Sequence, residues 1–134
     1  MTESVSRDSL PQPRVLVVED DPETRRYYMS ILENDGFIVD QAHNGLQALD
    51  KARTLAPDLV LTDIAVPGLD GIALCRRLRA DPSTRDIPVL AVTGYDDRQY
   101  STRALDAGAN RILLKPLRPD TLLAEARGLL TVQR

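Results

Sequence analysis

The 134-residue sequence contains no tryptophan, one phenylalanine, one histidine and one cysteine. A lone Cys75 cannot close an internal disulfide, and with no partner acid, thiol or imidazole at ligand spacing His43 offers no zinc site. His43 therefore reads as a surface residue and Cys75 as a small core residue. No apolar run approaches the roughly 20 residues that cross a bilayer. The opening MTESVSRDSLPQP lacks the apolar stretch of a secretory signal. There is no Lys/Arg run and the net charge is −3, so no general attraction to nucleic acid or to an anionic membrane is expected. A cytoplasmic protein with neither of those partners is the expectation.

What is present points to one domain, because the length suffices for one proper core and not for two. Residues 1–13 are polar with two prolines and read as a disordered lead; residues 14–131 form the domain and 132–134 a tail. Short β-branched runs begin near Val15, Phe37, Leu59, Val89 and Ile112. Their recurrence is close to the length of a strand-loop-helix unit, so five units and a small doubly wound α/β sheet are expected.

Helical punctuation fills the gaps. Asp21-Pro22 is an N-cap and first-turn pair and Gly36 a stop. Asn44 with Gln47 resembles a capping box for a helix whose Ala48, Leu49, Ala52 and Leu55 share a face. The third helix, from about Gly71, presents Ile72, Cys75 and Leu78 inward. The last, after Pro119, presents Leu122, Leu123, Ala126, Leu129 and Leu130. The fourth, about 97–107 and stopped by Gly108, offers only Tyr100, Ala104 and Leu105 as core contacts. Apolar burial is what holds a helix to its sheet, so this element is expected to be the least firmly docked and the moving part.

The strand ends carry the chemistry. Glu19 and Asp20 close VLVV, Asp63 closes DLVLT, Thr93 closes PVLAV and Lys115 closes RILL. In a parallel sheet all C-terminal ends lie on one edge, where open α/β proteins bind ligands at the point of strand-order reversal. Residues far apart in sequence thus form one pocket. Three clustered carboxylates need a cation, and with no His or Cys nearby the hard dication magnesium fits better than zinc. Asp63 can then attack phosphorus and form an acyl phosphate, while Lys115 and Thr93 offer a cation and a hydroxyl to phosphate oxygens. Asp21 reads as the N-cap, although a pair shifted to Asp20 and Asp21 is also open at this point.

VLVVEDDP, DLVLTDIAVPGLDG, VLAVTG and ILLKP, in that order, resemble the four motifs of the receiver domains of two-component response regulators. The resemblance covers about residues 14–131 and implies a flavodoxin-like five-stranded parallel sheet of order 2-1-3-4-5 with five helices. It makes Asp63 the phosphoacceptor, Glu19 and Asp20 the acidic pair, Thr93 the switch hydroxyl and Lys115 the phosphate-sensing lysine. It also implies magnesium held by Glu19, Asp20, Asp63 and the Ala65 backbone carbonyl, and a Lys115-Pro116 peptide that is often cis. A histidine kinase or histidine phosphotransfer protein is the implied donor. Because the chain ends soon after its fifth helix, a stand-alone regulator acting on a downstream protein target through protein contacts is expected.

Three residues depart from the resemblance. Ile112 stands where a Tyr or Phe usually moves with the switch hydroxyl, and Gly94 replaces a commoner alanine. Ala65 lies where an aspartyl-nucleophile phosphatase needs a second acid, which weighs against that reading. A phosphorylation-independent interaction module is the alternative, hinted at by Ile112 and opposed by the intact acidic pocket. A flavin carrier would share the sheet order, but it needs stacking aromatics that this sequence lacks near the pocket. Tyr95 and Ala65 flank the route of an attacking water, so slow loss of the phosphoryl group is expected. Tyr95→Ala is expected to speed that loss in a hydrolysis time course; an unchanged rate rules out shielding by the ring.

Overall fold

The computed structural model describes residues 12–94 and 98–132. Strands and helices alternate as β1 (Arg14–Val18), α1 (Pro22–Asn34), β2 (Ile38–Ala42), α2 (Gly45–Leu55), β3 (Leu59–Asp63), α3 (Gly71–Ala80), β4 (Val89–Thr93), α4 (Arg98–Asp106), β5 (Arg111–Leu114) and α5 (Pro119–Val132). The strands pair in parallel in the order β2-β1-β3-β4-β5, the doubly wound arrangement expected from the sequence. Most of the N-terminal lead, residues 1–11, and residues 133–134 of the tail lie outside the described residues. Pro13 already belongs to the fold, since its carbonyl accepts from Ile38 N at 2.9 Å.

Strands β1, β3 and β4 are apolar on both faces because helices cover both. Leu16, Val18, Val60, Val89 and Ala91 face a core layer closed by Ala48 and Leu49 of α2, Ile72, Cys75 and Leu78 of α3, and Ala104 of α4. The alternate residues Val15, Val17, Leu61, Leu90 and Val92 face a second layer closed by Tyr28 and Leu32 of α1 and by Leu122 and Ala126 of α5. The period of two along each strand sorts its side chains between these layers. Edge strands are less covered, with Ile38 and Leu114 exposed.

The helix starts follow their caps. Asp21 accepts from Thr24 N at 2.9 Å, Asn44 from Gln47 N at 2.8 Å and Asp70 from Ala73 N at 2.8 Å. Gln47 reaches back to His43 N at 2.6 Å, one residue before the cap. Gly36 and Gly108 end α1 and α4 with φ of 94° and 115°, a region that glycine enters without steric cost. Two expected core contacts are corrected: Leu55 and Leu105 are exposed, because each sits at the margin of its helix's apolar stripe. α4 consequently buries only Ala104, with Tyr100 packed partly against the same layer. Among the described residues no helix is long and apolar enough to cross a membrane.

One charged side chain ties the sheet's N-terminal edge together. The Arg79 guanidinium donates to Gly108 O at 3.1 and 2.8 Å, Asn110 Oδ1 at 3.0 Å, Arg85 O at 3.0 Å and Ile87 O at 2.7 Å. That uses every N–H an arginine has. Asn110 in turn accepts from Val89 N at 2.8 Å and donates from its own N to Val89 O at 2.8 Å. The end of α3, the start of β4 and the end of α4 are thus joined in one knot. Arg79→Met, which keeps the stem and removes the donors, is expected to lower stability by about 1.5–3 kcal/mol by stranding partly buried carbonyls. Urea denaturation measures it, and a loss below about 0.5 kcal/mol would show that water replaces the knot.

Candidate functional site

Strand order reverses between β1 and β3, and the register of the sheet assembles the site there. Val18 pairs with Thr62, Asp63 with Val92 and Thr93 with Leu114. One residue further along β1 therefore brings Glu19 beside Asp63, and one residue beyond β5 brings Lys115 to the same edge. Glu19, Asp63 and Thr93 are buried. Lys115 Nζ lies 2.5 Å from Asp63 Oδ2 and 3.4 Å from Glu19 Oε1. The other oxygen of Asp63 accepts from Ala65 N at 2.9 Å, and the other oxygen of Glu19 accepts from Asp21 N at 3.0 Å. Lys115 N donates to Thr93 O at 2.9 Å, which ties the lysine's backbone to the end of β4.

Of the three acids expected together, Glu19 and Asp63 meet in this buried cluster, whereas Asp20 is exposed on the adjacent turn. Asp21 caps α1 and so does not join the pair. Among the described residues no three Asp, Glu, His or Cys side chains are arranged to hold a metal ion. The donor chemistry nevertheless suits a hard dication. Two buried carboxylates outnumber the one ammonium between them, and every candidate ligand atom is oxygen. Ala65, exposed, leaves its backbone carbonyl as a further oxygen donor with no side chain in the way.

Electrostatics follow from burial and from like charges. Burial pushes the Glu19 carboxyl up to about 7, helped by its contact with Asp63, while the Asp21 amide and Lys115 pull the other way. Burial opposes the charge on Lys115, but the bond to Asp63 and the charges of Asp63 and Glu19 hold it above the usual lysine value. Burial also pushes the Tyr28 phenol up to about 12, and that ring feels the charges of Lys115, Glu19 and Asp63.

Several supports lay beyond the reach of the sequence. Arg25, buried on α1, donates to Glu19 O at 2.9 Å and to Gln41 Oε1 at 2.8 Å. Gly45 and Gly71 clamp the loop that follows Asp63. A Cβ on Gly71 would stand 2.7 Å from Asp63 O, and one on Gly45 would stand 1.8 Å from Leu69 O. Gly45 was not legible in the sequence, since its neighbour is 24 positions away. Ile112 is partly buried and packs against the core layer that holds Ala104 and Tyr100. The Lys115-Pro116 peptide is cis. Tyr95 lies outside the described residues.

Residues 15–127 match the response regulator receiver domain. The chain is 39% identical over 118 residues to the DNA-binding dual master transcriptional regulator RpaA of Synechocystis, a match covering 88% of this chain and 49% of the relative. It spans about half the length of the curated relatives it matches. A CheY-like response regulator receiver domain protein from Methanospirillum hungatei has a similar crystal structure, with a TM-score of 0.84 at 30% identity over 92% of this chain and 97% of that one. The receiver domain of a sensor histidine kinase from Pseudomonas aeruginosa, crystallised with magnesium coordinated in its active-site cleft, gives a TM-score of 0.84 at 28% identity, covering 90% of this chain and 99% of that one.

The raised Glu19 value sets a pH dependence. Unfolded, the group titrates near 4.5; folded, near 7. Between those values the folded state holds more protons, so its stability falls as pH rises through that window. With a chelator present, Glu19→Gln is expected to match the wild type near pH 5 and to exceed it near pH 8 by about 1–3 kcal/mol. Urea midpoints at both pH values measure this, and parallel curves for the two proteins would rule out Glu19 as the titrating group.

Proposed function

The chain belongs to the response regulator receiver domain family, whose members accept phosphoryl groups from histidine kinases or histidine phosphotransfer proteins and signal through protein contacts, and on that premise we propose that Asp63 is its phosphoacceptor. The observation that carries this reading is the Lys115 ammonium set between Asp63 and Glu19 at the strand-order reversal. Such a cation next to a buried carboxylate is what a phosphoryl group arriving there would need.

In the proposed reaction one carboxylate oxygen of Asp63 attacks the phosphorus of a phosphohistidine. The P–N bond breaks, its electron pair stays on the imidazole nitrogen, and that nitrogen takes up a proton from solvent. Lys115 exchanges its contact with Asp63 for one with a phosphoryl oxygen, and the Thr93 hydroxyl donates to another. Glu19, Asp20, Asp63 and the Ala65 carbonyl would hold magnesium, which supplies neutralisation of the phosphoryl oxygens' charge. The Pseudomonas receiver domain, crystallised with magnesium coordinated in its active-site cleft, supports the choice of metal.

Receiver domains catalyse their own phosphorylation and dephosphorylation. Here we read the loss as slow, because Ala65 has no polar side-chain atom with which to orient a water. The product is a signal. About two added negative charges draw Lys115 and Thr93 inward, and the shift in their positions biases β5 and the lightly held α4 between two arrangements. The packed Ile112, lacking a ring, gives that coupling a smaller moving part than an aromatic would. A downstream protein reads the result.

Intact mass after incubation with a small phosphodonor tests the assignment. A gain of one phosphoryl group that needs magnesium and is absent from Asp63→Ala is expected. No gain under any condition would move the function to phosphorylation-independent binding.

A further inference from the structure

A cleft of about 560 Å3 opens beside Lys115 and is walled by Tyr27 and Tyr28 of α1, by Gly94, and by Pro116 and Leu117 of the turn after β5. Three contacts set the position of that turn. Lys115 N donates to Thr93 O at 2.9 Å. The Leu117 side chain is buried in the second core layer. The third contact bridges 90 positions of sequence: the Tyr27 hydroxyl donates to Leu117 O at 3.2 Å.

Core packing does not account for Tyr27. Its neighbour Tyr28 is 3% exposed and belongs to the core, whereas Tyr27 is 46% exposed, with its ring centroid 5.9 Å from that of Tyr28. What distinguishes Tyr27 is the carbonyl it reaches. Lys115 has a long flexible stem and a side chain 32% exposed, so the position of its ammonium depends on the backbone that carries it as well as on its contacts with Asp63 and Glu19. Leu117 follows two residues later, across the cis Lys115-Pro116 peptide.

The same helix also holds the other end of the cluster. Arg25, two residues before Tyr27, donates to Glu19 O at 2.9 Å. α1 therefore touches both sides of the Lys115–Glu19 contact, through Arg25 at the acid and through Tyr27 at the lysine's turn. We propose that Tyr27 is a positioning residue for Lys115, indexing the lysine's turn to the helix that also indexes Glu19. The proposal rests on the reading of Lys115 as the cation that receives the phosphoryl group.

Tyr27→Phe keeps the ring and removes one donor. It is expected to slow phosphorylation by a small phosphodonor about 3- to 10-fold, leaving the donor concentration for half-saturation unchanged and the protein folded, as urea denaturation checks. In a Lys115→Ala background the same substitution is expected to have no further effect on the residual rate, because two residues acting as a unit are not additive. Equal slowing in both backgrounds, or no slowing relative to a wild type that is itself phosphorylated, overturns the proposal. The 15N signal of the Lys115 ammonium gives a readout independent of phosphorylation. It is expected to broaden or shift in Tyr27→Phe, and an unaltered signal also overturns the proposal. If the wild type takes up no phosphoryl group while this signal still responds, positioning stands and the phosphoacceptor reading falls.

Discussion

Two buried carboxylates side by side at a strand edge repel one another, and the Lys115 cation set between them offsets that repulsion. Its contacts with Asp63 and Glu19 connect the ends of β1, β3 and β5, three strands brought into reach only by the order β2-β1-β3-β4-β5. The rest of the architecture keeps this arrangement in register. A slip of one residue in any strand would exchange the side chains packed in the two core layers and move the strand-end residues out of reach of one another. The site's geometry is in this sense inherited from the packing of Val, Leu and Ala residues that take no part in the chemistry.

The surrounding supports take two forms: some fix a backbone position and leave the side chain to follow, and one holds a carboxylate oxygen directly. Arg25 holds the carbonyl of Glu19, the Ala65 amide holds one oxygen of Asp63, and Thr93 O holds the amide of Lys115. Gly45 and Gly71 add the room that lets two helices close on the loop after Asp63. Side chains held on such a frame would have little to reorganise if a phosphoryl group were to arrive there.

Much of this was legible in the sequence, for reasons that are local. Strand runs, the caps at Asp21 and Asn44, the stops at Gly36 and Gly108, and the strand-end positions of Asp63 and Lys115 announce themselves through residue type and near neighbours. What was missed depends on distant partners. Nothing adjacent to Arg25, Gly45 or Tyr27 shows that it meets Glu19 O, Leu69 or Leu117 O. Neighbouring acids look alike until the backbone buries Glu19 and exposes Asp20. Leu55 and Leu105 show the limit of periodicity: a 3.6-residue repeat marks the middle of an apolar stripe better than its margin.

Arg79 carries a different consequence. Its knot grips α4 at the C-terminal end, through Gly108 and Asn110, while along the rest of the helix only Ala104 is buried. A rod held at one end and lightly supported elsewhere is a lever. Nine residues at 1.5 Å each give an arm of about 13 Å, so a tilt of about 10° at the knot displaces the far end by about 2 Å. That far end follows the strand that ends in Thr93. An adjustment at the end of that strand would therefore move the helix surface by tilting it about its pinned end.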